Sequence, residues 1–70
     1  MNGEECLENE LKADISFCVG ECLNGKADFR QSRKYMDEAE FAYKVLTQSN
    51  KKYKGYCLYE VYELLKKEGF

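Results

Sequence analysis

The chain has no proline, no histidine and no tryptophan, and only five glycines interrupt its 70 residues. Because proline and glycine are the residues that break helices, their scarcity leaves long stretches free to be helical. The lack of histidine removes the commonest general base and a common metal ligand. No apolar run approaches the roughly 18 residues that a membrane helix needs, and no signal-peptide segment follows Met1. We therefore expect an all-α cytoplasmic protein that does not cross a membrane.

The composition is that of a small globular domain. Hydrophobic residues make up 44% of the chain and charged residues 34%, a balance that argues against disorder. We expect residues 1–70 to form a single helical domain. The net charge of −2 is unevenly spread, since residues 1–25 carry −5, residues 26–54 carry +4 and residues 55–70 carry −1. A chain divided in this way could bind an acidic partner, a basic partner or a second copy of itself.

Apolar residues recur at helical spacing over residues 4–24, which predicts a first helix. Its stripe consists of Leu7, Leu11, Ile15, Cys18 and Cys22, with Val19 beside it. Asn2 is a suitable N-cap, and Asn24-Gly25 is a suitable left-handed stop. Two explanations are open for Gly20: it allows another helix to approach closely, or it is a tolerated defect.

A second helix is predicted over residues 28–49, with Asp28 as its N-cap and Gln31 completing a capping box. Its core stripe consists of Ser32, Tyr35, Met36, Ala39, Ala42, Tyr43 and Leu46. The opposite face is polar, mostly basic, and contains one aromatic ring: Arg30, Arg33, Lys34, Asp37, Phe41, Lys44 and Gln48. A helix face that only meets water is expected to be polar throughout, so the ring makes this face the best functional lead.

A third helix is predicted over residues 56–68, after a basic surface loop at residues 50–55. Its stripe consists of Leu58, Val61, Tyr62 and Leu65. Gly69 is a suitable stop, and a Schellman motif would bring Phe70 onto Leu65, from which we expect a complete domain. Because short connections make consecutive helices antiparallel neighbours, the predicted fold is a small antiparallel three-helix bundle.

The cysteines do not form a convincing reactive or metal-binding set. Cys18 and Cys22 lie one helical turn apart and Cys57 could approach them, but Cys6 is about 18 Å from Cys18 along a helix. Structural zinc needs four ligands, and buried cysteine commonly serves as a small apolar residue. Without histidine, a cysteine nucleophile would lack its usual base, and phosphate-binding and dinucleotide motifs are absent. We therefore predict no metal, no cofactor and no enzymatic activity.

The leading hypothesis is a non-catalytic protein-binding module, an inhibitor or modulator of a larger protein machine. Its surface would consist of Arg30, Arg33, Lys34, Phe41, Lys44 and Val45, with apolar groups as anchors and bases that steer the partner. The alternative is that Phe41 is not exposed but buried under a neighbouring element of the bundle. The apolar face of a bundle helix can be wider than a single stripe of residues. In size and composition the chain is similar to small phage or mobile-element proteins that modulate a host machine.

Nucleic-acid binding is the second hypothesis. It would use Arg30, Arg33, Lys34, Lys51, Lys52, Tyr53 and Lys54, the bases neutralising phosphates and the tyrosine stacking on a nucleobase. The acidic overall balance argues against it, as do the acids that interrupt helix two. A homodimer is the third hypothesis and is compatible with the first, because a small core gains stability from a dimer interface.

Overall fold

The computed structural model describes residues 3–70, residues 3–5 by their backbone alone, and contains three α-helices and one turn of 3-10 helix. These are α1 (Gly3–Leu23), α2 (Phe29–Ser49), the 3-10 turn (Lys51–Tyr53) and α3 (Leu58–Lys67). No residue of the described range lies in a strand, so the predicted all-α three-helix bundle is confirmed. Within the same range, no helix combines the length and the apolar character that crossing a lipid bilayer requires.

The connection between α1 and α2 follows the predicted signals. The Asp28 carboxylate accepts a hydrogen bond of 2.8 Å from the backbone N–H of Gln31, so Asp28 is the N-cap of α2. Gly25 has a φ of +69°, a left-handed conformation that glycine adopts without steric cost. The Asn2 cap predicted for the first helix lies outside the described residues.

α3 begins at Leu58, later than predicted. Cys57 is its N-cap, with extended backbone angles and an N–H that donates to the Glu60 carboxylate at 3.2 Å.

At the C-terminal end of α3, the Phe70 N–H donates to the Leu65 carbonyl at 3.1 Å, and the Gly69 N–H donates to the Lys66 carbonyl at 3.1 Å. These two bonds form the predicted Schellman motif.

One core joins the three helices. The buried apolar residues are Leu11, Ile15, Cys18, Val19, Ala39, Ala42, Leu46, Tyr53, Val61, Tyr62 and Leu65. On α2 they include the small residues Ala39 and Ala42, and α1 and α2 form the most extensive helix pair. Each large apolar side chain in this core contributes about 1.5–3 kcal/mol on burial.

α1 and α2 form an antiparallel hairpin, as predicted. Near the connection, the Cys22 thiol donates to the Ser32 carbonyl at 3.4 Å. At the opposite end, the Asn50 amide donates to the Glu8 carboxylate. The two helices therefore run in opposite directions along their whole length.

α3 also runs antiparallel to α1, because its Tyr62 hydroxyl lies beside Gly20 while Glu68 pairs with Lys12 at 3.8 Å. α2 and α3 therefore run in the same general direction, which differs from the expectation that consecutive helices would be antiparallel. The reason is the connection, residues 50–57, which returns along α2 before α3 begins. There the Tyr43 hydroxyl donates to the backbone carbonyl of Tyr56 and so ties the connection to α2.

The segment predicted as a basic surface loop contains Tyr53, the largest fully buried side chain. Its hydroxyl donates to the Glu68 carboxylate at 3.1 Å. The ammonium groups of Lys12 and Lys52 lie 5.7 Å and 5.4 Å from the centre of its ring. The prediction of a surface loop was therefore wrong for Tyr53. A single inward residue between polar neighbours leaves no periodic signal in the sequence.

We expect Gly20→Ala to stabilise the protein by about 0.5–1 kcal/mol, because alanine restricts the unfolded chain and favours helix. A methyl group at Gly20 would lie 3.7 Å from the Tyr62 hydroxyl, an ordinary contact distance, so close helix approach does not require this glycine. The melting temperature of Gly20→Ala measures the effect. Gly25→Ala is the matched control and should destabilise the protein, since its φ of +69° strains any other side chain. A loss of stability in both variants would contradict this account of Gly20.

Stability should fall in acid partly through Glu68. The Lys52 ammonium, together with the Tyr53 hydroxyl, lowers the pKa of the Glu68 carboxyl from its ordinary 4.5. A carboxyl with a lowered folded-state pKa stabilises the fold above its unfolded pKa, and this contribution is lost as the pH falls through the folded pKa. Urea unfolding should therefore be measured at successive pH values below 4.5. As the pH falls, the free energy of unfolding should decrease less for Glu68→Gln than for the wild type. Identical pH profiles for the two proteins would refute the role of Glu68.

Candidate protein-binding face

The side of α2 that faces away from the core is the candidate site, and we call it the outward face. It consists of Arg30, Arg33, Lys34, Asp37, Phe41, Lys44 and Gln48, all of which are exposed. Phe41 lies in the middle of this face and is 70% exposed. Of the two environments that the sequence left open for Phe41, the structure therefore shows the exposed one.

The geometry of the bundle explains why this face stays uncovered. α2 buries Ala39, Ala42 and Leu46 against the rest of the core. α1 and the segment leading into α3 contact α2 on that side, and the described chain has no further helix to cover the other side. A phenylalanine placed opposite the core stripe is thus left in contact with solvent.

Val45, the other apolar residue of the predicted surface, is in a different environment from Phe41. It is half-buried and packs against the core cluster. Its partial burial distinguishes it from the exposed residues of the outward face. It therefore belongs to the rim of the candidate site, and Phe41 is the exposed apolar residue of that site.

The cations of the outward face have no acidic partner within the described residues. The ion pairs among the described residues lie elsewhere, and they join Lys12 to Glu8 and Glu68, and Lys52 to Glu68. The pair of Glu8 with Lys12, at 3.4 Å, joins residues one helical turn apart on α1. Glu40 and Lys44 have the same spacing on α2 but are not among these ion pairs. The bases around Phe41 are therefore free to bind a group from outside the chain.

A shallow depression lies beside Phe41, along the seam between α1 and α2. It has a volume of about 350 Å³ and is lined by Leu11, Asp14, Asp37, Glu38, Phe41 and Ala42. Its floor is apolar, whereas Asp14 of α1 and two acids of α2 place carboxylates around it. Phe41 thus lies between a basic stripe on one side and an acidic depression on the other. Asp14 could not be assigned to this site from the sequence, because only the packing of α1 on α2 brings it there.

The second predicted set, for nucleic acid, is not a uniform surface. Lys51, Lys52 and Lys54 are exposed, but Tyr53 is fully buried. Its ring cannot stack on a nucleobase without leaving the core. Lys52 is also paired with Glu68. The set therefore retains exposed bases but lacks the aromatic group that was expected to read nucleobases.

The cysteines lie in separate environments. The Cys18 thiol is buried and 3.8 Å from the Glu38 carboxylate, while the Cys22 thiol donates to a backbone carbonyl. Burial, together with the charges of Glu38 and Asp14, raises the pKa of the Cys18 thiol to about 11. The described residues contain no cluster of three or more side chains placed to hold a metal ion.

Two apolar features were missed by sequence reasoning. Phe29, the first residue of α2, is 82% exposed, and the only sequence signal was its position directly after the Asp28 cap. A second depression, of about 310 Å³, lies where the three helices meet near the α1–α2 connection. Its lining is Val19, Cys22, Leu23, Met36, Cys57, Leu58 and Tyr59. No periodic pattern identifies it, because it is formed by residues of three helices that only the tertiary fold brings together.

The reactivity of each cysteine thiol should follow its burial in the structure. We expect Cys6 and Cys57, both exposed, to react rapidly with a thiol reagent at neutral pH, and Cys18 to react only on unfolding. The Cys18 thiol is protected by burial and by its raised pKa. Alkylation followed by peptide mass mapping, with and without urea, gives the rate for each cysteine. Rapid labelling of Cys18 in the folded protein would show that the α1–α2 seam opens readily.

No protein-family model matches this chain, and no curated protein and no solved structure shows significant similarity to it.

Proposed function

We propose that this protein is a non-catalytic module that binds another protein through the outward face of α2 and acts as an inhibitor or modulator of that partner. The observation that carries the proposal is the exposure of Phe41, 70%, in the middle of a face whose cations form no ion pair among the described residues. An aromatic ring surrounded by charged residues is a common arrangement at the centre of protein interfaces.

The chemistry of the face indicates what the partner would offer. Phe41 would enter an apolar pocket on the partner, where burial of the ring contributes most of the binding energy. Arg30, Arg33, Lys34 and Lys44 would orient acidic groups around that pocket, and the guanidinium groups suit paired contacts with carboxylates. Val45 would add a smaller apolar contact at the rim. A partner with an acidic surface around an apolar pocket fits these features.

The proposal places the protein in the cytoplasm. All four cysteines are free thiols, which suits a reducing compartment. An inhibitor or modulator of a larger protein, of the kind found in phages or mobile elements, would act in the cytoplasm and would catalyse no reaction.

The nucleic-acid alternative is less well supported. It retains the exposed cations of α2 together with Lys51 and Lys54, but the burial of Tyr53 removes its stacking group. Binding through the cations alone would be governed by counterion release, and affinity would fall steeply as salt rises. A salt titration with short DNA and RNA duplexes therefore separates this alternative from binding through an apolar anchor.

We expect Phe41→Ser to weaken binding of the partner by at least about 30-fold, the loss typical of a central aromatic anchor. Stability should change by less than about 0.5 kcal/mol, because the ring does not contribute to the core. The tagged full chain would be used to capture proteins from a lysate of the source cells. Quantitative mass spectrometry would then compare capture by the wild type and by Phe41→Ser.

Phe29→Ser is the matched control, since it makes the same substitution on the same helix at an exposed ring outside the outward face. The control should capture the same proteins as the wild type, and circular dichroism should show equal helicity in all three proteins. Equal capture by wild type and Phe41→Ser would overturn the proposal. A large drop in the melting temperature of Phe41→Ser would instead place the ring in the core.

A further inference from the structure

The acidic depression beside Phe41 brings carboxylates of two helices together. Asp14 of α1 and Asp37 and Glu38 of α2 line it, and all three are exposed. The buried Cys18 thiol donates to the Glu38 carboxylate at 3.8 Å, and burial, followed by the charges of Glu38 and Asp14, raises the pKa of this thiol. Carboxylates of α1 and α2 therefore lie close enough to act on the same atom at the seam between the helices.

No ion pair among the described residues involves these three carboxylates, since the acids that form ion pairs are Glu8 and Glu68. Lys34 lies one helical turn before Glu38 on the same helix. A lysine that precedes a glutamate by four residues is in the less favourable order for an ion pair. The depression therefore carries negative charge for which the described part of the chain supplies no ion-pair partner.

The remaining lining of the depression is apolar. Leu11 and Ala42 are buried, and the ring of Phe41 is exposed beside them. A long basic side chain matches both kinds of lining, because its methylene groups pack on apolar surface while its charged end meets carboxylates. A guanidinium stacks flat on an aromatic ring and forms two parallel hydrogen bonds to a carboxylate, whereas an ammonium is a point charge. Arginine is therefore the best match to the depression.

From this complementarity we infer that the acidic depression receives an arginine side chain of the partner protein while Phe41 enters the partner's apolar pocket. The inference deepens the proposed function and rests on it, because the arginine belongs to the same partner. Bases lie on one side of Phe41 and carboxylates on the other, so the partner's acids and its arginine lie on opposite sides of its pocket. This arrangement fixes the orientation in which the partner binds.

Arginine blocked at both ends, as N-acetyl-arginine amide, tests the inference with a defined probe. Blocked citrulline is its control, because it has nearly the same shape and no charge. Each probe would be titrated to about 50 mM, at constant ionic strength, into the isotope-labelled full chain and followed by NMR, since a single side chain binds weakly. Arginine should produce saturable shifts in the backbone amide signals of Asp14, Glu38 and Phe41. Citrulline should bind at least about 5-fold more weakly, because it lacks the charge-assisted contacts.

Asp14→Asn and Glu38→Gln should each weaken binding of blocked arginine by about 3-fold, since each removes one negative charge from the depression. Glu40→Gln is the matched control, because it makes the same substitution on α2 at an exposed acid outside the depression. It should bind blocked arginine as the wild type does. Equal helicity by circular dichroism would show that all three variants are folded.

Three results of the titrations would overturn the inference. Equal shifts with arginine and citrulline would show that the charge of the probe plays no part in binding. Shifts spread evenly over the exposed acids would show that the depression is not a site. Shifts of the same amides on concentrating the protein without a probe would assign the depression to a second copy of the chain.

Capture from the lysate separates this inference from the proposed function. Asp14→Lys puts a cation into the depression and leaves every residue of the outward face unchanged, so it should lower capture of the proteins that Phe41→Ser loses by at least about 10-fold. Glu40→Lys is its matched control and should capture as the wild type does. Unchanged capture by Asp14→Lys, with loss of capture by Phe41→Ser, would overturn the inference and leave the proposed function intact. Unchanged capture by both variants would overturn both proposals.

Discussion

The structure depends on the burial of Tyr53 between the end of α3 and the first helix. Its hydroxyl donates to Glu68, and the ammonium of Lys12 on α1 lies 5.7 Å from the centre of its ring. A tyrosine buried from a short connection fixes where that connection lies against the bundle. The chain then returns along α2, and α3 runs antiparallel to α1. This route places α3 against α1 and leaves the far side of α2 without a covering element.

The outward face is therefore a consequence of the small size of the bundle as well as of its sequence. Three short helices bury the inner sides of α1, α2 and α3 in one core, and a fourth element would be needed to enclose Phe41. Replacing an exposed phenylalanine by a polar residue would cost the fold little, and the bases at the start of α2 oppose the helix dipole. Neither feature is explained by stability, and the combination of an exposed ring with neighbouring bases is what supports the proposed binding role of this face.

Regular features of the fold were predictable from the sequence, and the irregular ones were not. Periodic stripes identified the core residues of α2, and Asp28, Gly25 and Gly69 marked helix ends because capping depends on local residue chemistry. The inward turn of Tyr53 and the direction of α3 depend on contacts between distant segments, which no local pattern encodes. For the site, the face opposite the core stripe followed from helical period alone. The acidic depression did not, since Asp14 reaches it only through packing of α1 on α2.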